Sequence, residues 1–203
     1  MRVFLVRHGR TSLNAAGLLR GQLDVPLDET GEAEAAALGK VFRHVPLAVV
    51  VSSPLRRALD TARHISSGSN SPRVVDDRLR DRFCGEWAGK TLDEVEERFG
   101  SVDAAPGVEP WQDFQSRTSA AFLDSLRTHS AENGGLAGVA LVTHDAVLRA
   151  LLRRLVPGLE LARLELPTGS WTELEQSSGA PTWRTVHLGE LPEIGQQQSS
   201  GDR

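Results

Sequence analysis

The chain has 203 residues and a net charge of −4, with 39% of its residues hydrophobic and 25% charged. This size and balance fit one soluble globular domain, and the negative charge argues against general nucleic-acid binding. The sequence shows no signal-peptide pattern and no apolar run of the roughly 18–20 residues of a membrane span, so we expect a cytoplasmic protein without a membrane partner.

The first half of the chain alternates apolar runs with segments that favour helix. The runs at 2–6 and 47–53 are typical of buried strands, whereas 30–43 is rich in Ala and Glu, as helices are. Ser53 is expected to cap a helix that has Pro54 in its first position. The predicted elements are a strand over 2–6, a helix over 30–43, a strand over 47–53, a helix over 54–65, a loop over 66–73, a short strand within 72–77 and a helix over 91–99.

The second half continues the alternation and then changes character. Large apolar residues recur at helical spacing over 111–130. The predicted elements are a helix over 111–130, a strand over 138–143, a helix over 145–155 and antiparallel edge strands over 161–166, 170–176 and 182–188. Residues 189–203 are polar and rich in Gln, Ser and Gly, which predicts a disordered tail after a single domain over 1–188.

Alternating strands and helices, with nearly continuous apolar strands, indicate an α/β fold. Strands of this kind are buried on both faces. We therefore expect a three-layer α/β/α sandwich with a mainly parallel central sheet. In such folds the ligand binds at the carboxyl ends of the strands.

Cationic and imidazole side chains follow three of the predicted strands. These residues are Arg7-His8-Gly9, Arg56-Arg57 and His144-Asp145. If the strands are parallel neighbours, their ends meet at one edge of the sheet. Arginine offers a planar donor fork that matches phosphate, and helix N-termini near Pro54 and Asp145 would add backbone donors. The pattern predicts an anion site, although the spacing alone does not choose between Arg56 and Arg57.

Other kinds of site fit these residues less well. A lone histidine after a strand is often a satisfied core residue, and His8 and His144 with Asp81 or Asp145 have the chemistry of zinc ligands. However, the flanking arginines would repel a cation, and the presence of only one cysteine, Cys84, excludes an intramolecular disulfide and a cysteine-cluster metal site. No metal is expected. Glycine-rich nucleotide loops are also absent from the sequence.

Four segments carry a resemblance to a known family. VRHGRTSLN, SSPLRRALDTA, RLRDRFCGEWAGKTLDEV and LVTHDAVLRALL occur in this order. In that order they resemble the histidine phosphatase superfamily, in its branch with the cofactor-dependent phosphoglycerate mutases. The resemblance covers roughly residues 2–175 and implies a phosphoglycerate mutase-like fold.

The resemblance assigns roles to the residues at the strand ends. It implies that His8 attacks phosphorus and becomes a phosphohistidine. It implies that three residues hold the phosphoryl oxygens and stabilise the transition state, namely Arg7, Arg57 and His144. The family's pocket arginine directly precedes the alanine of an RA..T pattern, which selects Arg57. Asp81 stands where this branch has a glutamate that protonates the leaving group, so Asp81 is the expected general acid.

The chain departs from the family's pattern around this site. Arg10 stands where Glu or Gln usually follows the RHG box, and Asp145 stands where glycine usually follows the second histidine. Near the pocket, Asp145 would be a second candidate acid. Arg20 replaces a glutamine or small residue and is a predicted substrate contact unless its side chain faces solvent. Asn14, which matches a phosphate-contacting asparagine of the family, and Gln22 are further predicted contacts.

The spacing between the acid and the second histidine bears on the type of reaction. Phosphoglycerate mutases of this family carry a longer insertion here, whereas only 63 positions separate Asp81 from His144. A more open site admits water, so we expect a phosphoric monoester hydrolase of the histidine acid phosphatase type. It would act on a small phosphorylated metabolite without a cofactor, and a homodimer is compatible with the sequence. The alternatives are a cofactor-dependent phosphoglycerate mutase and a non-catalytic phospholigand-binding protein.

Overall fold

The computed structural model describes residues 1–129, 137–177 and 182–193, and a six-stranded sheet runs through its centre. The strands are β1 (Arg2–Arg7), β2 (Leu47–Ser52), β3 (Arg73–Val75), β4 (Gly138–Thr143), β5 (Trp171–Glu175) and β6 (Arg184–Glu190). Their order across the sheet is β3-β2-β4-β1-β5-β6. The first four pair in parallel, and the last two are antiparallel to their neighbours. The predicted mainly parallel sheet is confirmed.

Helices cover both faces of the sheet. They are α1 (Ser12–Ala15), α2 (Glu29–Val41), α3 (Arg56–Ser69), α4 (Leu92–Phe99), α5 (Trp111–His129) and α6 (Asp145–Leu155). Along β1, Val3 and Leu5 join the core cluster that contains residues of α5 and α6. Phe4 and Val6 point to the other face and join the cluster that contains residues of α2 and α3. This alternation produces the expected three-layer sandwich. Of the described helices, none has the length and apolar character needed to cross a bilayer.

The register of the central strands places their carboxyl ends level with one another. Arg7 in β1 pairs with Thr143 in β4, and Ser52 in β2 pairs with Val142. The backbone N–H of His8 continues the ladder by donating to the Thr143 carbonyl at 3.0 Å. The residues that follow β1, β2 and β4 therefore meet at one edge of the sheet, as the topology rule for parallel sheets requires.

Helix α3 starts later and ends later than the sequence predicts. Its N-cap is Leu55, with no side-chain cap, and it continues to Ser69, so the predicted cap at Ser53 and loop over 66–73 are wrong. Ser53 instead accepts a hydrogen bond from the Leu55 N–H at 3.3 Å. The extra turn forms because Gly68 packs closely against α2, which local composition does not reveal.

The predicted edge strand over 161–166 is also wrong. Leu161–Arg163 forms a 3-10 helix, and the residues after it pair with no strand within the described part of the chain. Instead of a neighbouring strand, arginine side chains donate hydrogen bonds to carbonyl oxygens of this segment. Arg149 donates to the Leu161 and Leu164 oxygens at 2.8 and 2.9 Å, and Arg7 donates to the Leu166 oxygen.

The ends of the predicted elements differ in smaller ways. The short helix α1 is absent from the prediction, and β6 extends to Glu190, so the predicted start of the tail at Gly189 falls inside a strand. Residue 130, the predicted end of α5, and residues 194–203 of the predicted tail lie outside the described residues.

Candidate active site

Two buried histidines stand side by side where the central parallel strands end. His8 follows β1 and His144 follows β4, and their ring centroids are 5.1 Å apart. Both side chains are almost fully excluded from solvent. Burying two imidazoles at the end of the sheet costs free energy unless they are hydrogen-bonded. The hydrogen-bond partners of each ring therefore determine its protonation state and its chemistry.

The hydrogen bonds of His8 fix its tautomer. Nδ1 lies 2.6 Å from the Gly9 carbonyl oxygen, which can only accept, so Nδ1 carries the proton. Nε2 keeps its lone pair and accepts a hydrogen bond from Arg57 Nε at 3.2 Å. Burial, together with the positive charges of Arg57 and Arg7, lowers the pKa of His8 well below its usual value. His8 is therefore a neutral imidazole with a nucleophilic nitrogen beside a guanidinium.

The turn after β1 is held between α2 and α3. Gly9 donates its N–H to Thr61 Oγ1 at 3.0 Å, and Thr61 donates to the Arg57 carbonyl at 2.8 Å. A Cβ on Gly9 would lie 2.4 Å from the Gly31 carbonyl oxygen at the start of α2. Only glycine therefore fits here, and Thr61 couples the turn to the helix that carries Arg57. Thr61 lies within the RALDTA segment, but its hydroxyl contacts could not be read from the sequence.

Arg57 is fully buried and its donors face several acceptors. Nη1 donates to the Leu23 carbonyl at 2.7 Å and Nη2 to the Gly21 carbonyl at 2.8 Å. Nη2 also lies 3.4 Å from Asp81 Oδ2. The neighbouring Arg56 is exposed. The structure therefore brings Arg57, and not Arg56, into contact with His8.

Arg7, the last residue of β1, has its partners at the start of α6 and in the segment before β5. Its Nη1 donates to the Leu166 carbonyl and lies 3.6 Å from Asp145 Oδ1. Asp145 also accepts a hydrogen bond from Arg149 Nε at 2.8 Å, one helical turn along α6. Asp145 is thus engaged with two arginines. Among the described residues, the buried Nε of Arg7 has no hydrogen-bond partner.

Asp81 reaches the same pocket from the segment between β3 and α4. The carboxylate is buried; Oδ1 accepts from the Arg82 N–H at 3.0 Å, and Oδ2 lies 3.9 Å from His144 Nδ1. Burial raises the pKa of Asp81, against the opposing charges of Arg57 and Arg20. A carboxyl group that retains its proton to higher pH has the chemistry of a general acid.

His144 lies between Ser53, which directly follows β2, and Asp81. Its Nε2 is hydrogen-bonded to Ser53 Oγ at 2.8 Å, a contact that the sequence did not suggest. Burial and the charge of Arg57 lower the pKa of His144 well below its usual value. The ring is therefore a neutral wall of the pocket between Ser53 and Asp81.

The loop residues predicted as substrate contacts are distributed around this pocket. Gln22 donates to the Asp81 carbonyl at 3.1 Å. Arg20 donates to the Leu18 carbonyl at 3.1 Å, and its charge acts on the pKa values of both histidines and of Asp81. The Asn14 side chain instead closes a capping box with Thr11 at the start of α1. The structure thus brings Arg20 and Gln22 to the pocket, whereas the contacts of Asn14 are local.

A comparison of the sequence with models of protein families identifies the family of this chain. The model of the histidine phosphatase superfamily (branch 1) matches residues 3–188. The chain belongs to this superfamily. Within the described residues, no cluster of three or more His, Cys, Asp or Glu side chains is placed to hold a metal ion.

Several relatives of this chain carry the names of phosphatases. Glucosyl-3-phosphoglycerate phosphatase of Mycolicibacterium vanbaalenii is 33% identical over 85% of this chain and 78% of its own length. Adenosylcobalamin/alpha-ribazole phosphatase of Salmonella typhimurium is 29% identical over 92% and 96%. The solved structure of a mycobacterial glucosyl-3-phosphoglycerate phosphatase has a TM-score of 0.79 at 26% identity, covering 93% of this chain and 98% of that one.

Proposed function

We propose that this histidine phosphatase hydrolyses the phosphate monoester of a small metabolite through a phosphohistidine on His8. The observation that carries the proposal is the fixed tautomer of His8, whose Nε2 lone pair lies 3.2 Å from Arg57 Nε. A phosphoryl group bound by Arg57 would bring its phosphorus next to that nitrogen. The phosphatase names of the relatives support the same reaction.

In the first step, His8 Nε2 attacks phosphorus and the ester P–O bond breaks. Arg57 and Arg7 offer guanidinium donors to the phosphoryl oxygens, where charge develops in the transition state. Asp81 gives its proton to the leaving oxygen, so an alcohol departs instead of an alkoxide. The products are a phosphohistidine and the Asp81 carboxylate.

In the second step, water replaces the alcohol. The Asp81 carboxylate takes a proton from the water as its oxygen attacks phosphorus and the P–N bond breaks. Inorganic phosphate leaves, and both His8 and Asp81 return to their starting protonation states. Dividing one displacement into two lets the same acid and nucleophile serve each half-reaction.

The surroundings of the two candidate acids favour Asp81. Asp81 Oδ2 lies 3.4 Å from Arg57, which itself contacts His8, and burial raises the pKa of Asp81. Asp145 accepts from Arg149 and lies beside Arg7, so it is an ion-pair partner of the pocket arginine. We assign Asp145 to holding Arg7.

We further propose that Arg20 and Gln22 contact the substrate and that the enzyme is of the acid phosphatase type. Arg20 has no carboxylate partner within 4.0 Å among the described residues, and its charge acts on His8, Asp81 and His144. The phosphorylated metabolites in the relatives' names, a glucosyl-phosphoglycerate and an α-ribazole phosphate, indicate the size of molecule to test.

The test is to trap and count the covalent intermediate. Rapid quenching with a ³²P-labelled phosphate monoester should leave acid-labile, base-stable label on the wild-type protein, together with release of inorganic phosphate. His8→Ala should lose both, while the exposed His44→Ala should retain both. An unlabelled, inactive wild-type protein would refute an enzymatic function. Transfer of the phosphoryl group between carbons of phosphoglycerate without phosphate release would show a mutase instead.

A further inference from the structure

The proposed acid lies in a segment with little regular structure. Between β3 and α4 the described chain forms only two short 3-10 helices, Asp77–Leu79 and Gly85–Trp87. Asp81 stands between them. A catalytic carboxyl must be held to within a fraction of an ångström of its working position, so something outside the segment must fix its backbone.

We infer that Arg117, on the neighbouring helix α5, is the positioning residue for Asp81, an inference that rests on the proposed function. Arg117 Nη1 donates to the carbonyl oxygens of Arg78 and Arg80 at 2.7 and 2.8 Å. Its Nη2 donates to the carbonyl oxygen of Asp81 at 3.0 Å. One guanidinium thus ties three carbonyls around the acid to a rigid helix.

A second residue fixes the guanidinium itself. Glu109 accepts from Arg117 Nε at 2.6 Å and from Nη2 at 2.8 Å, a bidentate pair. Glu109 also accepts from the Phe83 N–H at 3.1 Å. Burial opposes ionisation of Glu109, but the hydrogen bonds from Arg117 and Phe83 lower its pKa below the usual value. The pair stays charged, and it binds the chain on both sides of Asp81.

Within the segment that carries Asp81, Arg117 donates to backbone oxygens and not to the Asp81 carboxylate. The Asp81 carbonyl also accepts from Gln22, in the loop between α1 and α2, while the Asp81 carboxylate faces Arg57 and His144. Removal of Arg117 would leave the Arg78 and Arg80 carbonyls of this partly buried segment without the Arg117 donor and the Asp81 carbonyl with Gln22 alone. The segment would relax and move the carboxyl, whereas His8 and Arg57, which sit on other elements, would stay in place.

This distinction can be measured through the leaving group. An alkyl phosphate needs a proton on its poor leaving group, whereas the p-nitrophenolate of p-nitrophenyl phosphate leaves readily without one. Loss of a residue that positions the acid should therefore reduce turnover of the alkyl phosphate and hardly change turnover of p-nitrophenyl phosphate. General loosening of the fold, or damage to the phosphate pocket, should reduce turnover of both substrates equally.

The experiment compares kcat/KM for glycerol 2-phosphate and p-nitrophenyl phosphate. Asp81→Asn should lose about 10²–10⁴-fold on the alkyl ester and much less on the aryl ester. Arg117→Gln should show the same selectivity with a smaller loss, roughly 10–100-fold, and Arg117→Lys should recover part of it. The double variant should be no worse on the alkyl ester than Asp81→Asn alone, because a displaced acid and an absent acid are the same defect. Arg127→Gln, an exposed arginine on the same helix, is the matched control and should behave as the wild type.

The outcomes distinguish a wrong role for Arg117 from a wrong assignment of Asp81 as the acid. If Asp81→Asn is selective and Arg117→Gln reduces both substrates equally, or if the two losses multiply, the positioning role of Arg117 is refuted and the proposed acid stands. If Asp81→Asn itself treats both esters alike, the acid assignment fails and this inference fails with it. Should Arg117→Gln not fold, Glu109→Gln, which keeps the cation, must show the selective loss on the alkyl ester, and an equal loss on both would overturn the role.

Discussion

Arg56 and Arg57 are consecutive residues at the start of α3, yet their surroundings are opposite. Arg56 is exposed, whereas the Arg57 guanidinium is buried against Asp81, two carbonyl oxygens and the nucleophilic nitrogen of His8. A buried guanidinium with these neighbours is stable only because its donors are satisfied. The resemblance to the family selected Arg57 as the pocket arginine, whereas helical spacing alone could not distinguish Arg57 from Arg56.

Lysine at position 57 should not support phosphate binding, because the point charge of its ammonium group cannot replace the planar set of donors of the Arg57 guanidinium. Arg57→Lys is expected to lower kcat/KM for p-nitrophenyl phosphate by about 10²–10³-fold. Arg56→Lys is the control and should leave it unchanged. Steady-state kinetics on the two variants, each checked by circular dichroism, decide the matter. Equal activities would show that the buried guanidinium takes no part in phosphate binding.

The pH dependence of the reaction follows from two shifts of opposite sign. The pKa of His8, the proposed nucleophile, is lowered, so its ring is neutral above a pH that lies below 6.5, and activity should fall as the pH drops through that point. The pKa of Asp81, the proposed acid, is raised, so its carboxyl group keeps its proton above pH 3.8 and activity on alkyl esters should fall as it ionises at higher pH. A profile of kcat/KM for glycerol 2-phosphate should show both limbs. Asp81→Asn should lose the alkaline limb only; retention of that limb would assign it to another group.

At the level of elements, the central strands were predictable from the sequence, whereas the packing of the segments around them was not. The runs of β1, β2 and β4 are apolar because both faces of the sheet are covered, which gives them a clear signature. The turn of α3 over Ser66–Ser69 and the non-strand structure at Leu161–Leu164 depend on distant partners, namely Gly39 and Arg149. Contacts to backbone carbonyls, which every residue has, leave no trace in the sequence.

Helices α2 and α3 touch at a pair of glycines, and that contact can be tested. A Cβ on Gly68 would lie 2.0 Å from the Gly39 carbonyl oxygen, so Gly68→Ala must push the helices apart. Overpacking of this kind costs about 1–3 kcal/mol, which outweighs the helix propensity gained, up to about 1 kcal/mol. Urea unfolding should show a net loss of stability. The neighbouring Ser67 is exposed, so Ser67→Ala should be neutral or slightly stabilising, and the same result for Gly68→Ala would contradict the close approach.

At the scale of the whole molecule, the sheet joins distant parts of the chain. Strand β1, the first in sequence, lies between β4 and β5, and the Met1 amino group donates to the Gln176 carbonyl at 2.8 Å. His8 can therefore meet His144 only after β4 has paired with β1. Because these residues are distant in sequence and meet only in the folded sheet, no single segment is specific for the site. The ordered set of four segments, taken together, predicted the family and the fold.

We propose that residues 1–193 unfold as one cooperative unit in which β6 is required. Trp183 packs against Phe122 of α5 with ring centroids 5.8 Å apart, and Leu188 packs on the same core. A chain ending at Glu193 should match the full chain to within about 0.5 kcal/mol, since every described strand remains. A chain ending at Ser177 should lose at least about 3 kcal/mol, because it gives up the Trp183 contact and exposes the edge of β5. Thermal and urea unfolding followed by circular dichroism and by p-nitrophenyl phosphate hydrolysis should give one coincident transition for the longer chain; two separate transitions would divide the molecule into independent domains.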